Sequence, residues 1–155
     1  MVIDIGASEA DVRAVLATVP DPEIPVLSVV DLGIVHRVAV RPDRIDVAIL
    51  PTFVGCPALD VIRATIAERL EERFGRDVRV ETTFEVPWTS DRITAGGRKA
   101  LRGAGIAPPA DPSDMHCPFC DSANVVMDSA FGPTQCRSLF YCRGCRQPFE
   151  ALKSV

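Results

Sequence analysis

Apolar positions recur with two different periods in the first half of the chain. Residues 8–19 carry them at helical spacing, behind a serine suited to cap a helix and before two prolines. Residues 34–40 and 45–50 alternate, and a proline-containing turn between them predicts an antiparallel hairpin. A second amphipathic helix is expected to end at Phe74, and a third strand to cover 78–84. The pattern therefore predicts an α+β fold, a small α-β-β-α-β sandwich with helices on one face of a sheet.

The texture of the sequence changes near residue 88, where proline, glycine and alanine become frequent. This stretch reads as a linker with a short helix, capped by Thr89 or Ser90. The predicted organisation is an α+β domain over 1–87, a linker over 88–114 and a separate module over 115–155.

Two Cys-x-x-Cys motifs, separated by 21 residues, dominate the C-terminal module. Their four cysteines are Cys117, Cys120, Cys142 and Cys145. Four thiolates form the closed tetrahedral set that structural Zn²⁺ prefers, and the interval between the motifs can hold two strands. The motifs therefore predict a C-terminal zinc ribbon.

Two other uses of these four cysteines stay open at this point. An iron–sulfur cluster also takes four thiolates. Disulfides require an oxidising compartment, and the start of the chain has neither the basic nor the apolar stretch of an export signal. The sequence thus favours metal ligation and a cytoplasmic location.

The C-terminal module is too small to fold on apolar burial alone. A bound zinc ion makes up the deficit, since such sites contribute about 10–16 kcal/mol. Five aromatic residues are expected to build a small core around it. They are Phe119, Phe131, Phe140, Tyr141 and Phe149.

Cys56 lies in a loop directly before the second predicted helix. A helix N-terminus carries partial positive charge and unpaired N–H groups, which favour a thiolate over a thiol. The alternative is a small apolar residue packed under the turn. Cys136, between the two motifs, could be a thiol without a metal, a spare ligand or a contact residue, and spacing does not decide among these.

Acidic residues interrupt the apolar, proline-held stretch that precedes the first strand. Asp21 and Glu23 are among them, and the three prolines nearby rule out a regular helix. These carboxylates either cap turns or line a site at one end of the sheet.

Composition and missing motifs exclude several classes of function. The net charge of −4 and the lack of a basic run argue against nucleic-acid partners. The longest uncharged stretch, 47–59, is short and broken by prolines, which argues against a membrane span. The sequence has no Glu-x-x-His pair, dinucleotide fingerprint or Walker loop, so an autonomous oxygenase or dehydrogenase is not expected.

The stretch 21–35, together with Gly55-Cys56-Pro57, resembles the SufT-like domain associated with iron–sulfur protein maturation. The stretch 88–109 and the cysteine ribbon resemble the PaaD family of bacterial phenylacetate degradation. The two resemblances together cover nearly the whole chain. They imply a role beside phenylacetyl-CoA epoxidase, a complex of a diiron oxygenase and a reductase that carries a flavin and an iron–sulfur centre.

The resemblance implies assistance in assembly or maturation rather than epoxidation. It implies that Cys56 is a cluster ligand or reactive thiol, that Asp21 and Glu23 belong to the same motif, and that Cys136 is a secondary candidate. One cysteine cannot complete a cluster's coordination, so the other ligands of a transient iron–sulfur cluster must come from a second copy, a small thiol or a client protein.

Two hypotheses of different class follow. In the first, the chain is an accessory protein whose partners are epoxidase components or iron–sulfur assembly proteins, with a homodimer as one way to hold a cluster. In the second, it is a non-catalytic structural adaptor that bridges components of the oxygenase. Thiol redox catalysis by the two motifs is disfavoured, because zinc would occupy those thiols.

Overall fold

The computed structural model describes residues 6–53 and 55–155, which form two compact units. The first unit extends to Trp88, and the second runs from Thr89 to Val155. Each unit has its own sheet and is described separately. The first five residues of the predicted domain 1–87 lie outside the described residues. The three segments predicted from the sequence stay a prediction.

The first unit contains two helices and three strands in the predicted order α-β-β-α-β. They are α1 (Glu9–Leu16), β1 (Val35–Val40), β2 (Arg44–Ile49), α2 (Ala58–Phe74) and β3 (Asp77–Thr82). The sheet order is β1-β2-β3, with β1 antiparallel and β3 parallel to the central β2. The predicted hairpin is confirmed, and α2 is the crossover that a parallel pair requires.

Helix α1 begins where the sequence predicts and ends earlier. The Ser8 hydroxyl oxygen accepts from the Asp11 N–H at 3.1 Å, and the Asp11 carboxylate accepts from the Ser8 N–H at 2.9 Å, which makes a capping box. The helix ends at Leu16 instead of Val19. The residue before a proline is disfavoured in the helical region, so Pro20 acts on the chain before it is reached.

Helix α2 and strand β2 supply much of the core of the first unit. Ile62, Ile66 and Leu70 of α2 are buried at helical spacing, and Ile45 and Ile49 of β2 are fully buried. Gly75 ends α2 with φ of 63°, the left-handed conformation that glycine adopts without a steric penalty. Trp88 is also buried, and its indole N–H donates to the Leu32 carbonyl at 2.8 Å.

The second unit contains one helix and a four-stranded mixed sheet. Its elements are α3 (Ala95–Gly103), β4 (Ile106–Ala107), β5 (Val125–Ser129), β6 (Arg137–Cys142) and β7 (Pro148–Leu152). The sheet order is β4-β7-β6-β5, with only β4 parallel to its neighbour. The stretch predicted as a linker thus supplies α3 and β4.

The cap of α3 differs from the prediction. Thr94, rather than Thr89 or Ser90, caps the helix by accepting from the Gly97 N–H at 3.0 Å. Ser90–Arg92 forms a separate 3₁₀ turn. The helix begins only after this turn because Ile93 and Thr94 are extended.

The aromatic core of the second unit is smaller than predicted. Phe140 and Phe149 are buried and stacked with ring centroids 5.6 Å apart. Phe119, Phe131 and Tyr141 are 57%, 79% and 37% exposed, so the prediction was wrong for these three. Ala107, Met115 and Ala151 complete the core beside two of the cysteines.

The predicted α+β class is confirmed. Over the described ranges, no helix combines the length and apolar character needed to cross a membrane.

Candidate functional site

Four thiols converge at one end of the β5–β6–β7 sheet. Cys117 and Cys120 lie in the turn before β5, Cys142 ends β6, and Cys145 lies in the turn that leads to β7. All four sulfur atoms are within 4.8 Å of one another. The Sγ atoms of Cys117 and Cys145 are 3.7 Å apart, and those of Cys120 and Cys142 are 3.6 Å apart.

This spacing fits one tetrahedral metal ion. Zinc–thiolate bonds of about 2.3 Å place the corners of a tetrahedron about 3.8 Å apart. In a four-iron cluster each thiolate binds a different iron, so the four sulfurs must stand farther apart. Two of the four thiols are buried and one is half-buried, as in a closed structural site. The second unit therefore has a structural metal-binding site.

The two cysteine turns repeat one backbone solution. In each, the residue directly after the second cysteine is left-handed: Asp121 has φ of 62° and Arg146 has φ of 60°. The Asp121 N–H donates to the Cys117 carbonyl at 2.9 Å, and the Cys142 N–H donates to the Gln147 carbonyl at 2.9 Å. Sequence reasoning missed these two positions, because neither is a glycine and only the position after a Cys-x-x-Cys motif marks them.

The thiols of the cluster differ in acidity. The backbone N–H of Cys145 donates to the Cys142 sulfur at 3.5 Å and lowers the pKa of Cys142 to about 7. Burial raises the pKa of Cys145 to about 12. One thiolate is thus available to an incoming cation near neutral pH. The remaining thiols give up protons as the metal binds.

Cys56 lies where the sequence placed it, at the N-terminal end of α2. The residue is half-buried and stands two positions before Ala58, the first helical residue. Its carbonyl accepts from the Leu59 N–H at 3.3 Å, and its own N–H donates to the Phe53 carbonyl at 3.4 Å. These bonds fix the backbone at the position where the positive end of the helix favours a thiolate.

The topology brings the Cys56 loop and the acidic loop to one edge of the first sheet. Ile49 ends β2 and lies opposite both Val35, which begins β1, and Thr82, which ends β3. The loop 50–57 therefore leaves the sheet at the edge where the loop 20–34 enters it. A bond from the Leu50 N–H to the Ile34 carbonyl at 2.8 Å joins the two loops.

The two acidic candidates in this loop occupy different positions. Asp21 is buried, and its Oδ1 accepts from the N–H groups of Glu23 and Ile24, both at 2.8 Å. Asp21 therefore caps a turn, the first of the two roles considered for these carboxylates. Glu23 follows in that turn and is half-buried.

Cys136 lies outside the four-thiol cluster. It stands one residue before β6, with its sulfur 3.0 Å from the Thr134 hydroxyl oxygen. Its carbonyl accepts from the Lys153 N–H at 2.7 Å. The backbone of Cys136 thus extends the pairing of β6 with the end of the chain.

Comparison with protein-family models gives two matches that together cover most of the chain. Residues 9–82 match a model described as "Iron-sulfur cluster assembly protein". Residues 105–153 match a model described as "PaaD zinc beta ribbon domain". The predicted C-terminal ribbon is confirmed by this second match.

Curated relatives and a solved structure show the same two parts. A protein of Escherichia coli (strain K12), named for the 1,2-phenylacetyl-CoA epoxidase as one of its components, is 36% identical over 94% of this chain and 92% of its own. An Fe-S protein maturation auxiliary factor from Porphyromonas gingivalis (strain ATCC BAA-308 / W83) is 37% identical over 56% of this chain and 84% of its own. The crystal structure of a domain of unknown function, DUF59, from Bacillus anthracis superposes with a TM-score of 0.56 and 25% identity. It covers 60% of this chain and 90% of that one.

Proposed function

The chain belongs to the PaaD family, and from this premise we propose that it is an accessory protein in the maturation of phenylacetyl-CoA epoxidase. It assists assembly of an iron–sulfur or other metal centre in the reducing cytoplasm and is not an autonomous enzyme. The relative from P. gingivalis, named as an Fe-S protein maturation factor, supports this role for the first unit. The observation that carries the proposal is the position of Cys56 at the mouth of α2 and the edge of the sheet.

The Cys56 thiol is suited to transient ligation rather than to a permanent site. It is only half-buried, so a client can reach it, and the end of α2 stabilises the thiolate that binds a metal. In this proposal Asp21 holds the neighbouring loop in shape, and Glu23 lies beside it in the same turn.

The four-thiol cluster has a different task. We assign Zn²⁺ to Cys117, Cys120, Cys142 and Cys145, because four thiolates at this spacing close the coordination shell of one ion. A closed shell leaves no open position for chemistry or transfer. Zinc there stabilises the ribbon, and cluster handling is left to Cys56, with Cys136 as a secondary candidate.

A cluster at Cys56 requires thiolates from elsewhere. A second copy of the chain supplies a second Cys56, and a client or a small thiol supplies others. The proposal therefore predicts that loading with iron and sulfide produces a homodimer or a complex with a client. Epoxidase components and iron–sulfur assembly proteins are the protein partners that fit this role.

The deciding experiment compares Cys56→Ser with Cys136→Ser. Each variant is purified anaerobically and loaded with iron and sulfide, and zinc, iron and acid-labile sulfide are measured with the visible spectrum. We expect about one zinc per chain in both variants, because neither residue belongs to the four-thiol cluster. Iron and sulfide should be lost in Cys56→Ser and kept in Cys136→Ser.

A second readout is taken in cells, as the iron content and activity of the epoxidase. Unchanged values with Cys56→Ser would overturn the carrier role. If the protein then co-purified with the epoxidase at fixed stoichiometry, the structural adaptor would replace it. Iron that persists in Cys56→Ser at the expense of zinc would assign the cluster to the four thiols instead.

A further inference from the structure

A cleft of about 450 Å³ lies in the second unit, away from the thiols that bind the metal. Its rim carries three basic side chains of α3: Arg98, Lys99 and Arg102. Its floor is apolar and includes Ala107, Pro109 and Met115. A positive rim around an apolar floor is unusual in this protein, whose net charge is −4.

The three basic residues share one face of α3. Arg102 stands four residues after Arg98 and three after Lys99, which are the spacings that place side chains side by side on a helix. The charge of the cleft reflects a wider asymmetry. Residues 89–155 contain eight lysines and arginines and six acidic residues, although the chain as a whole is acidic.

The rim is partly fixed in place before any ligand arrives. The guanidinium of Arg98 donates to the Ser90 carbonyl at 2.8 Å and to the Pro109 carbonyl at 3.2 Å. Because both acceptors are neutral, these bonds leave the positive charge of Arg98 uncompensated. Arg102 is exposed and pairs with Asp121 at 3.0 Å, and Asp114 adds one carboxylate to the lining. Lys99, also exposed, adds a mobile charge.

We propose that this cleft docks an acidic segment of a partner protein, with one of its apolar side chains on the floor. Charge complementarity selects the acidic groups, since the three basic side chains outnumber the single carboxylate of the lining. The apolar floor favours a peptide over a small anion, because a phosphate would gain nothing from Ala107, Pro109 and Met115. The docking does not depend on Cys56 or on what that thiol binds.

The test measures binding of a short fluorescein-labelled peptide of alternating glutamate and leucine to the full-length, zinc-loaded protein. Fluorescence anisotropy is recorded for the wild type, Lys99→Glu, and Arg63→Glu as the matched control. Arg63 is an exposed arginine on α2, so its reversal changes the net charge in a helical setting in the other unit. Zinc content and circular dichroism confirm that each variant is folded.

We expect Lys99→Glu to weaken binding by about tenfold and Arg63→Glu by less than about twofold, since only the first charge lies at the cleft. Affinity should fall with added salt, because exposed charges are screened. A peptide with glutamine in place of glutamate, or serine in place of leucine, should bind more weakly than the parent.

Three results would overturn the proposal. One is equal binding to wild type and Lys99→Glu. Another is unchanged affinity for the serine peptide, which would reduce the cleft to a site of general charge attraction. The third is displacement of the peptide by millimolar inorganic phosphate at constant ionic strength, which would assign the cleft to a small anion.

Discussion

At the scale of single residues, the ribbon depends on backbone conformations as much as on its cysteines. Gly105, which follows the end of α3, has φ of 78°, and a Cβ atom there would lie 2.9 Å from the ring of Phe119. Glycine is therefore required for two reasons, its left-handed backbone and the close approach of an aromatic ring. Phe119 was predicted for the core, and its half-exposed ring lies over this glycine instead.

Gly105→Ala is expected to lower the free energy of unfolding by about 1–3 kcal/mol, because it adds left-handed strain and a clash with Phe119. Gly103→Ala is the matched control. It lies in α3 with open space at the Cβ position, so it should leave stability unchanged or raise it by up to about 1 kcal/mol. Thermal unfolding of both variants measures the difference. Equal effects would show that the conformation of Gly105 is not required.

Residue type alone could not predict which aromatic side chains are buried. Phe140 and Tyr141 are neighbours on β6, and alternation puts only one of them inside. The sequence of a short strand flanked by cysteines does not reveal which face is covered. The four cysteines were predictable because a Cys-x-x-Cys turn positions two sulfurs through local backbone geometry alone.

At the scale of elements, starts were predicted better than ends and pairings. The capping box of α1 and the glycine that ends α2 are local patterns, and both are confirmed. Strand β4 has only two residues and pairs with β7, more than 40 positions away in the chain. Such a short strand shows no period, so its place in the sheet follows from tertiary packing and not from the sequence pattern.

The turn at 21–24 allows structural and electrostatic roles of Asp21 to be separated. Asp21→Ala leaves two N–H groups without their acceptor in a buried turn and should cost about 1–3 kcal/mol. Asp21→Asn keeps an oxygen at the same place and should cost less than half as much. Denaturant unfolding of both variants gives these values.

The same two variants are then loaded with iron and sulfide. If Asp21 only shapes the loop, Asp21→Asn should load as the wild type does. A loss of loading in a stable Asp21→Asn protein would show that the negative charge itself acts at the Cys56 site. That result would move Asp21 from a turn cap to a member of the site.

At the scale of the whole molecule, two units achieve stability by different means. The first has a core of fully buried aliphatic side chains on both helices and its sheet, among them Leu16, Ile45, Ile66 and Leu70. The second has a core of seven residues, and two of these, Cys117 and Cys142, are metal ligands in the assignment above. Apolar burial is therefore expected to suffice for the first unit alone.

Removing the metal with a chelator at neutral pH should unfold the second unit and spare the first. The reason is that metal binding supplies about 10–16 kcal/mol to such a ribbon, more than its small core can replace. Amide hydrogen exchange is the measurement. Protection should disappear from β5, β6 and β7 and persist in β1, β2 and β3.

Cys142→Ser provides the control, because a ribbon that has already lost a ligand should show little further change on chelation. A second unit that stayed protected without metal would mean that its core is sufficient and that the four thiols serve another purpose. Loss of protection in both units would mean that the first unit depends on the ribbon. If only the second unit unfolds, Cys56 remains on a folded scaffold, and its iron loading can be measured independently of zinc.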